Sequence, residues 1–189
     1  MFTSTQLSQW LQQPAPHQSN IPYSAVSIDS RTIAPHALFI AIHGPNFDGH
    51  RFCYEAYQKG AIGFVVSQYI PDIPHEHQWM VPDTLKAFQD IASGYRRALH
   101  STQFIALTGS NGKTTTRTML ATLLNAWQST TATQANLNNT IGVPLQIFNT
   151  SAHHQFNVLE CGTNQFGELL TISKMAQPNT VIITNTEHA

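Results

Sequence analysis

The sequence has few charged residues, few cysteines and no long apolar run, and each scarcity excludes a class of protein. Only 10% of its 189 residues are charged and the formal net charge is −1, so it has no basic field that would favour a nucleic-acid partner. No apolar run approaches the roughly 20 residues needed to span a bilayer, and no signal-peptide pattern opens the chain. We therefore expect a cytoplasmic protein without membrane insertion.

The two cysteines, Cys53 and Cys161, are far apart in the sequence. This is neither a disulfide framework nor a metal-binding pattern, and it suits a reducing compartment. Hydrophobic residues make up 41% of the chain, which predicts a globular protein with one large domain or two small ones.

One stretch is typical of a phosphate-binding loop: an apolar run over 104–107, then Thr108-Gly109-Ser110-Asn111-Gly112-Lys113-Thr114-Thr115, then a helical pattern. Glycines let a backbone approach an anion, and the N–H groups of the loop and the helix N-terminus can bind it. Lys113 would then reach the β- and γ-phosphates, and the Thr114 hydroxyl would ligate Mg²⁺. The usual loop has four residues between its glycines, whereas Gly109 and Gly112 have two between them. The pattern therefore predicts a shortened nucleotide-phosphate loop; the alternative is a plain glycine turn with an exposed lysine.

The alternation of strands and helices predicts an α/β fold in two domains, with a boundary near Pro82. In residues 83–189, Asp83 is expected to cap a helix that ends near Leu99, strands are expected at 103–108, 156–160 and 180–184, and helices at 113–127 and about 167–176. One apolar stripe supports the helix at 113–127: Met119, Leu120, Leu123, Leu124 and Trp127. In residues 1–82 we expect strands at 26–31, 37–42 and 61–66, helices near Leu7 and at 51–59, and a loop at 43–50.

Three further features are candidates for chemistry. Glu160 ends a predicted strand, where a carboxylate could be the second Mg²⁺ ligand or simply a partly exposed acid. The stretch 136–144 is rich in asparagine, and its amides could bind a sugar, a phosphate or a transferring group, or could serve turn formation alone. His188 follows the last predicted strand, at the edge where open α/β sheets bind ligands, and is either a metal ligand or a solvated residue.

Taken in order, these motifs resemble the Mur ligases, the ATP-dependent ligases of peptidoglycan precursor synthesis. The shortened loop matches theirs, and Asp29-Ser30-Arg31 followed by Phe47-Asp48-Gly49-His50 is similar to their UDP-binding domain. The stretches 136–145 and 160–168 are most similar to the branch that adds D-alanyl-D-alanine to UDP-N-acetylmuramoyl-tripeptide.

The resemblance implies a UDP-substrate-binding domain over 1–82 and part of a central ATP-binding domain over 83–189. The residues that it assigns to the UDP moiety are Ser30, Arg31, Pro45, Asn46 and Phe47. It assigns ATP to the loop 109–115, catalysis to Lys113, Asn139 and His188, and Mg²⁺ to Thr114, Glu160 and His188.

The reaction implied by the resemblance joins the tripeptide to D-alanyl-D-alanine through an acyl phosphate, in a monomeric enzyme. We expect this sequence to be an N-terminal part of such an enzyme, with negligible ligase activity alone. Two alternatives are a module that binds UDP or polyphosphates without turnover and a sister ligase that adds a diamino acid.

Overall fold

The computed structural model describes residues 1–44, 46–134, 136–163 and 165–186 and divides into two units, Met1–Ile91 and Ala92–Ala189. The division lies inside a helix, α3, which runs from Thr84 to Ala98. The boundary predicted from the sequence, near Pro82, lies just before that helix. The two positions differ because the helix is unbroken and contributes its first turns to one unit and its last turns to the other.

The first unit contains eight strands and two complete helices among its described residues. In chain order these are β1 (Phe2–Thr3), α1 (Ser4–Leu11), β2 (Pro22–Tyr23), β3 (Val26–Ser27), β4 (Leu38–Ile40), β5 (His43–Gly44), β6 (Phe47–Asp48), α2 (Cys53–Gln58), β7 (Gly63–Val66) and β8 (Gln78–Met80). The main sheet has the order β3-β4-β7-β8, and every pairing in it is parallel. Its central strands, β4 and β7, are entirely buried, as the apolar runs of a parallel sheet should be.

Several predictions for the first unit were wrong in extent. The expected strand 26–31 ends at Ser27, because the Asp29 carboxylate accepts the Arg31 N–H and the chain turns into a 3-10 helix over Ser30–Thr32. The expected loop 43–50 contains the hairpin β5–β6. Strand β8 was not predicted, because it follows directly on a segment rich in proline and histidine.

The second unit is a four-stranded parallel sheet with helices between its strands. The elements are β9 (Gln103–Thr108), α4 (Lys113–Asn125), β10 (Thr130–Ala132), α5 (Gly142–Phe148), β11 (Phe156–Glu160), α6 (Glu168–Ala176) and β12 (Thr180–Ile183). The strand order is β10-β11-β9-β12, so β9 lies between β11 and β12. Register pairs Glu160 with Leu107 and Ile183 with Thr108, which brings the carboxyl ends of three strands together.

The predicted strands β9, β11 and β12 and the predicted helices are confirmed to within about two residues at each end. The apolar stripe on α4 is not the buried side of that helix: Met119, Leu123 and Trp127 are 62%, 70% and 71% exposed. Leu120 and Leu124 are half-buried instead, and α4 contacts β10 and β11. Strand β10 was missed because its residues, Thr130 to Ala132, carry no apolar run. Among the residues that the structure describes, no helix has the length and apolar character to cross a membrane.

Candidate functional site

The loop between β9 and α4 requires glycine at two positions. Gly109 and Gly112 have φ angles of 141° and 81°, in the region that side chains disfavour. A Cβ on Gly109 would also lie 2.2 Å from the Thr184 Oγ1 and 2.9 Å from the Asn185 carbonyl oxygen. The glycines of the motif are therefore explained by backbone geometry, independently of any ligand.

The segment after β12 supports this loop. The Asn111 N–H donates to Asn185 Oδ1 at 2.8 Å, and the Ser110 N–H donates to the Asn185 carbonyl at 3.1 Å. The first hydrogen bond within α4 is donated by the Thr116 N–H to the Gly112 carbonyl. The N–H groups of residues 113–115 precede that bond, and they are the orphan donors with which a helix N-terminus binds an anion.

Lys113 closes the loop on itself. Its Nζ donates to the carbonyl oxygens of Gly109 at 2.6 Å and Ser110 at 3.1 Å. An ammonium group held at the mouth of a phosphate loop can exchange these two carbonyls for phosphate oxygens without moving far. The role of Lys113 toward phosphate stays a prediction.

Thr114 and Glu160, the predicted Mg²⁺ ligands, are in contact. The Thr114 hydroxyl donates to the Glu160 carboxylate at 3.0 and 3.2 Å, and Glu160 is only 4% exposed. A hydroxyl and a carboxylate that already touch can bind one hard cation together, so the donor set fits Mg²⁺.

Two neighbours of Glu160 were missed in the sequence. Asn138 Nδ2 donates to Glu160 Oε1 at 3.3 Å, and Arg117 Nη1 forms an ion pair with Glu160 Oε2 at 3.2 Å. Arg117 lies three residues after Thr114 on α4, a spacing that places both on one helix face and that could have revealed it. Asn138 lies in the asparagine-rich stretch, but nothing in the local sequence distinguishes it from its neighbours.

Asn139, the asparagine predicted to be catalytic, uses its side chain to bind backbone N–H groups. Its Oδ1 accepts the N–H groups of Ile141 at 3.1 Å and Gly142 at 2.8 Å, at the start of α5. Its role toward a ligand stays a prediction. His188 lies outside the described residues, so the predicted third metal ligand is not part of this geometry.

In the first unit, Ser30 is 4% exposed and its hydroxyl donates to Glu55 Oε2 at 2.8 Å. Lys59 Nζ donates to the Ser30 carbonyl at 3.1 Å and to Glu55 Oε1 at 2.6 Å. Arg31 binds both oxygens of Asp29, with Nε to Oδ1 at 2.9 Å and Nη2 to Oδ2 at 2.7 Å. The side-chain hydrogen bond from Arg31 lowers the pKa of Asp29 to about 2.

Asn46 and Phe47 lie in the β5–β6 hairpin, and Pro45 lies outside the described residues. The Phe47 ring stacks on that of Phe52, with centroids 5.8 Å apart and planes at 14°, and both rings are exposed. Because β3 and β4 are parallel neighbours, the turn after β3 and the hairpin after β4 follow the same edge of the sheet. That edge is where an open parallel sheet binds ligands.

The cluster of His43, Asp48 and His50 has ligating atoms within 4.8 Å of one another, but its hydrogen bonds disfavour a metal. His50 Nε2 accepts the Ser67 N–H at 3.0 Å, so the proton of a neutral ring is on Nδ1 and is donated to Asp48 Oδ1 at 2.6 Å. No lone pair of His50 then remains for a cation. The cluster ties the hairpin to β7.

The fold and the loop define the class: an α/β protein with two parallel sheets and a glycine-bounded loop of the phosphate-binding kind. A family model described as the Mur ligase middle domain matches residues 107–189, and one described as the Mur ligase family, catalytic domain, matches residues 22–96. The chain belongs to the Mur ligase family.

Three similar proteins within that family are named as D-alanyl-D-alanine-adding or MurF ligases. UDP-N-acetylmuramoyl-tripeptide–D-alanyl-D-alanine ligase of Treponema pallidum is 37% identical, over 86% of this chain and 38% of the relative. The structure of the UDP-N-acetylmuramoylalanyl-D-glutamyl-2,6-diaminopimelate–D-alanyl-D-alanyl ligase of Acinetobacter baumannii has a TM-score of 0.86 and 33% identity, covering 100% of this chain and 42% of that one. The MurF ligase of Thermotoga maritima in complex with ADP has a TM-score of 0.75 and 27% identity, covering 85% and 37%.

Proposed function

We propose that this chain carries the UDP-substrate site and the ATP-phosphate site of an ATP-dependent ligase that joins D-alanyl-D-alanine to UDP-N-acetylmuramoyl-tripeptide. The observation that carries the proposal is the contact between Thr114 and Glu160 beside the Gly109–Thr115 loop. The contact occurs in a chain whose Treponema pallidum relative is named UDP-N-acetylmuramoyl-tripeptide–D-alanyl-D-alanine ligase. The chain spans 38% of the Treponema pallidum relative, so the activity is proposed for the whole enzyme and ligand binding for these residues.

In the second unit, the ATP phosphates would lie on the loop 109–115. The N–H groups of residues 113–115 and the Lys113 ammonium would bind the phosphate oxygens, and Lys113 would offset the charge that develops on the transferring group. Thr114 and Glu160 would hold Mg²⁺, with His188 as a proposed further ligand. When bound, Mg²⁺ supplies Lewis-acid stabilisation of the phosphoryl oxygens. Asn139 is proposed to act near the same site.

The proposed reaction has two balanced steps. A carboxylate oxygen of the tripeptide attacks the γ-phosphorus, the bond to the bridging oxygen breaks, and ADP leaves with that electron pair. The amine of D-alanyl-D-alanine then attacks the acyl phosphate, phosphate departs and the nitrogen loses a proton. The residues of this chain contribute to the first step, by binding and orienting the phosphates.

In the first unit, Ser30, Arg31, Pro45, Asn46 and Phe47 would bind the UDP moiety. Arg31 is exposed and held by Asp29, which pre-orients a guanidinium suited to a diphosphate. The exposed Phe47 ring, stacked on Phe52, offers a face to a planar base.

We further propose that the enzyme is monomeric and cytoplasmic and has no nucleic-acid partner. Light scattering during gel filtration measures the molar mass and so tests whether it is a monomer.

Calorimetric titration of the chain with UDP-N-acetylmuramoyl-tripeptide tests the proposal, with UDP and UMP as controls. Binding that requires the UDP moiety is the expected result. The absence of binding by a chain that circular dichroism shows to be folded would contradict the substrate assignment. A competition series with the corresponding dipeptide substrate separates this function from that of a diamino-acid-adding ligase, which would favour the dipeptide.

A further inference from the structure

Glu160 forms a buried ion pair that the proposed function does not use. Its side chain is 6% exposed, that of Arg117 is 15% exposed, and Arg117 Nη1 lies 3.2 Å from Glu160 Oε2. The other groups on the carboxylate, the Thr114 hydroxyl and the Asn138 amide, are neutral donors. Arg117 is therefore the positive charge that balances Glu160 within its described contacts.

The contact between Arg117 and Glu160 is an ion pair without the geometry of a hydrogen bond. Arg117 Nη1 has no partner that meets hydrogen-bond geometry among the described residues, although it lies within ion-pair distance of the carboxylate. A guanidinium held by charge alone is easily drawn to a stronger anion, and a polyphosphate is such an anion. Arg117 is on the first turns of α4, the helix whose N-terminus follows the phosphate loop.

A buried carboxylate without a positive neighbour attracts a divalent cation strongly, because low polarity magnifies the interaction between charges. A carboxylate that is already paired attracts it much less. With Arg117 beside Glu160, the pair is neutral overall, so a cation must either displace the guanidinium or arrive with its own negative charge. Nucleotide phosphates supply that charge.

We propose that Arg117 is a positioning residue that acts through Glu160, keeping the carboxylate beside Thr114 while suppressing cation binding until a nucleotide polyphosphate is present. The divalent cation then enters together with the nucleotide, and the guanidinium turns toward the phosphates. This inference rests on the proposed function, because it takes Thr114 and Glu160 as the cation ligands.

The test is a Mn²⁺ titration of the whole chain without nucleotide, in which electron paramagnetic resonance measures the free ion. We expect weak binding by the wild type and at least about ten-fold tighter binding by Arg117→Met, because the carboxylate loses its balancing charge. Arg117→Lys retains the charge and should resemble the wild type. Adding Glu160→Gln to Arg117→Met should remove the gain. Arg97→Met, at an exposed arginine of α3, is the matched control for loss of charge.

A repeat of the titration with ATP separates this inference from the proposed function. The wild type should bind Mn²⁺ tightly with ATP, and the difference between it and Arg117→Met should shrink. Tight binding with ATP but no change in Arg117→Met without it would overturn the role of Arg117 alone. No binding with ATP in any variant would overturn the nucleotide site as well. If Arg117→Met fails to fold, the nucleotide-free titration of the wild type tests the inference by itself. Weak Mn²⁺ binding that becomes tight with ATP supports it, and tight Mn²⁺ binding without nucleotide overturns it.

Discussion

Gly109 is constrained by its own backbone and by a neighbour. Its φ of 141° disfavours a side chain, and a Cβ would clash with Thr184. We expect Gly109→Ala to lower the free energy of unfolding by roughly 1–3 kcal/mol and to abolish ATP binding, because the loop must move away from β12. Urea unfolding and calorimetry measure the two effects. Gly44→Ala is the control, since a Cβ there meets nothing within 4 Å, and its stability should change by less than about 0.5 kcal/mol.

The Asp29–Arg31 pair gives a pH-dependent prediction. A pKa lowered to about 2 means that the pair contributes stability above the unfolded value of ~3.9 and loses it as pH falls toward 2. Arg31→Gln should raise the pKa of the Asp29 carboxyl toward ~3.9, as followed by NMR. Arg51→Gln, which removes an exposed charge outside the pair, should leave it near 2. An Asp29 pKa that stays near 2 in Arg31→Gln would show that the guanidinium is not its cause.

Among the candidate site residues, those with a local sequence signature could be predicted, whereas those defined by contacts between distant residues could not. Lys113, Thr114 and Glu160 could be proposed from the sequence because the loop and a strand end each leave a local signature. Arg117 and Asn138 were missed because their role depends on contact with Glu160, which is 43 and 22 residues away in the chain. Contacts of that kind come from the sheet order, which no local pattern contains.

Among the elements, α3 owes its start to a single side chain. The Lys86 N–H donates to Asp83 Oδ1 at 2.9 Å, as the predicted cap requires. We expect Asp83→Ala to lower the free energy of unfolding by about 1 kcal/mol, measured by urea titration. Asp83→Asn should retain most of the stability, because asparagine caps equally well. Equal losses in both variants would show that charge, and not the cap, stabilises this helix end.

Helix α4 and the neighbouring strand β9 contrast an exposed leucine with a buried one. Leu123 is 70% exposed, whereas Leu107 on β9 is fully buried. We expect Leu123→Ala to change the free energy of unfolding by less than about 0.5 kcal/mol and Leu107→Ala to lower it by about 2–5 kcal/mol. Thermal and urea unfolding of the two variants measure this difference. A large loss in Leu123→Ala would mean that its face is covered in solution.

Apolar periodicity predicted where helices and strands lie, but not which side of a helix is buried. The apolar spacing over 119–127 correctly predicted a helix, but it could not tell which of two adjacent apolar rows faces the sheet. The parallel strands β9, β11 and β12 were predicted because they are continuous apolar or β-branched runs. Short β10 adds to an existing sheet edge by backbone hydrogen bonding, and its three half-buried residues carry no apolar run that would reveal it. In β8, Trp79 is 1% exposed, but three residues are too few to give a periodic pattern.

For the whole molecule, the two proposed sites lie in separate units, so they should respond separately to substitution. We expect Lys113→Ala to abolish ATP binding in calorimetry while changing the affinity for UDP less than about two-fold, because each ligand would contact one unit only. Phe47→Ala should do the reverse, weakening UDP binding and sparing ATP. Equal loss of both ligands in Lys113→Ala would show that the assignment of one site to each unit is wrong.

The hydrogen bond from the Asn111 N–H to Asn185 Oδ1 joins residues 74 positions apart. This separation matters during synthesis, because the chain is made from its N-terminus. On the ribosome, the glycine loop emerges long before the segment that holds it in shape. We therefore expect the loop of a nascent chain to form only after β12 and Asn185 have left the exit tunnel. If the loop binds ATP as proposed, the nucleotide would stabilise only nascent chains from which Asn185 has already emerged.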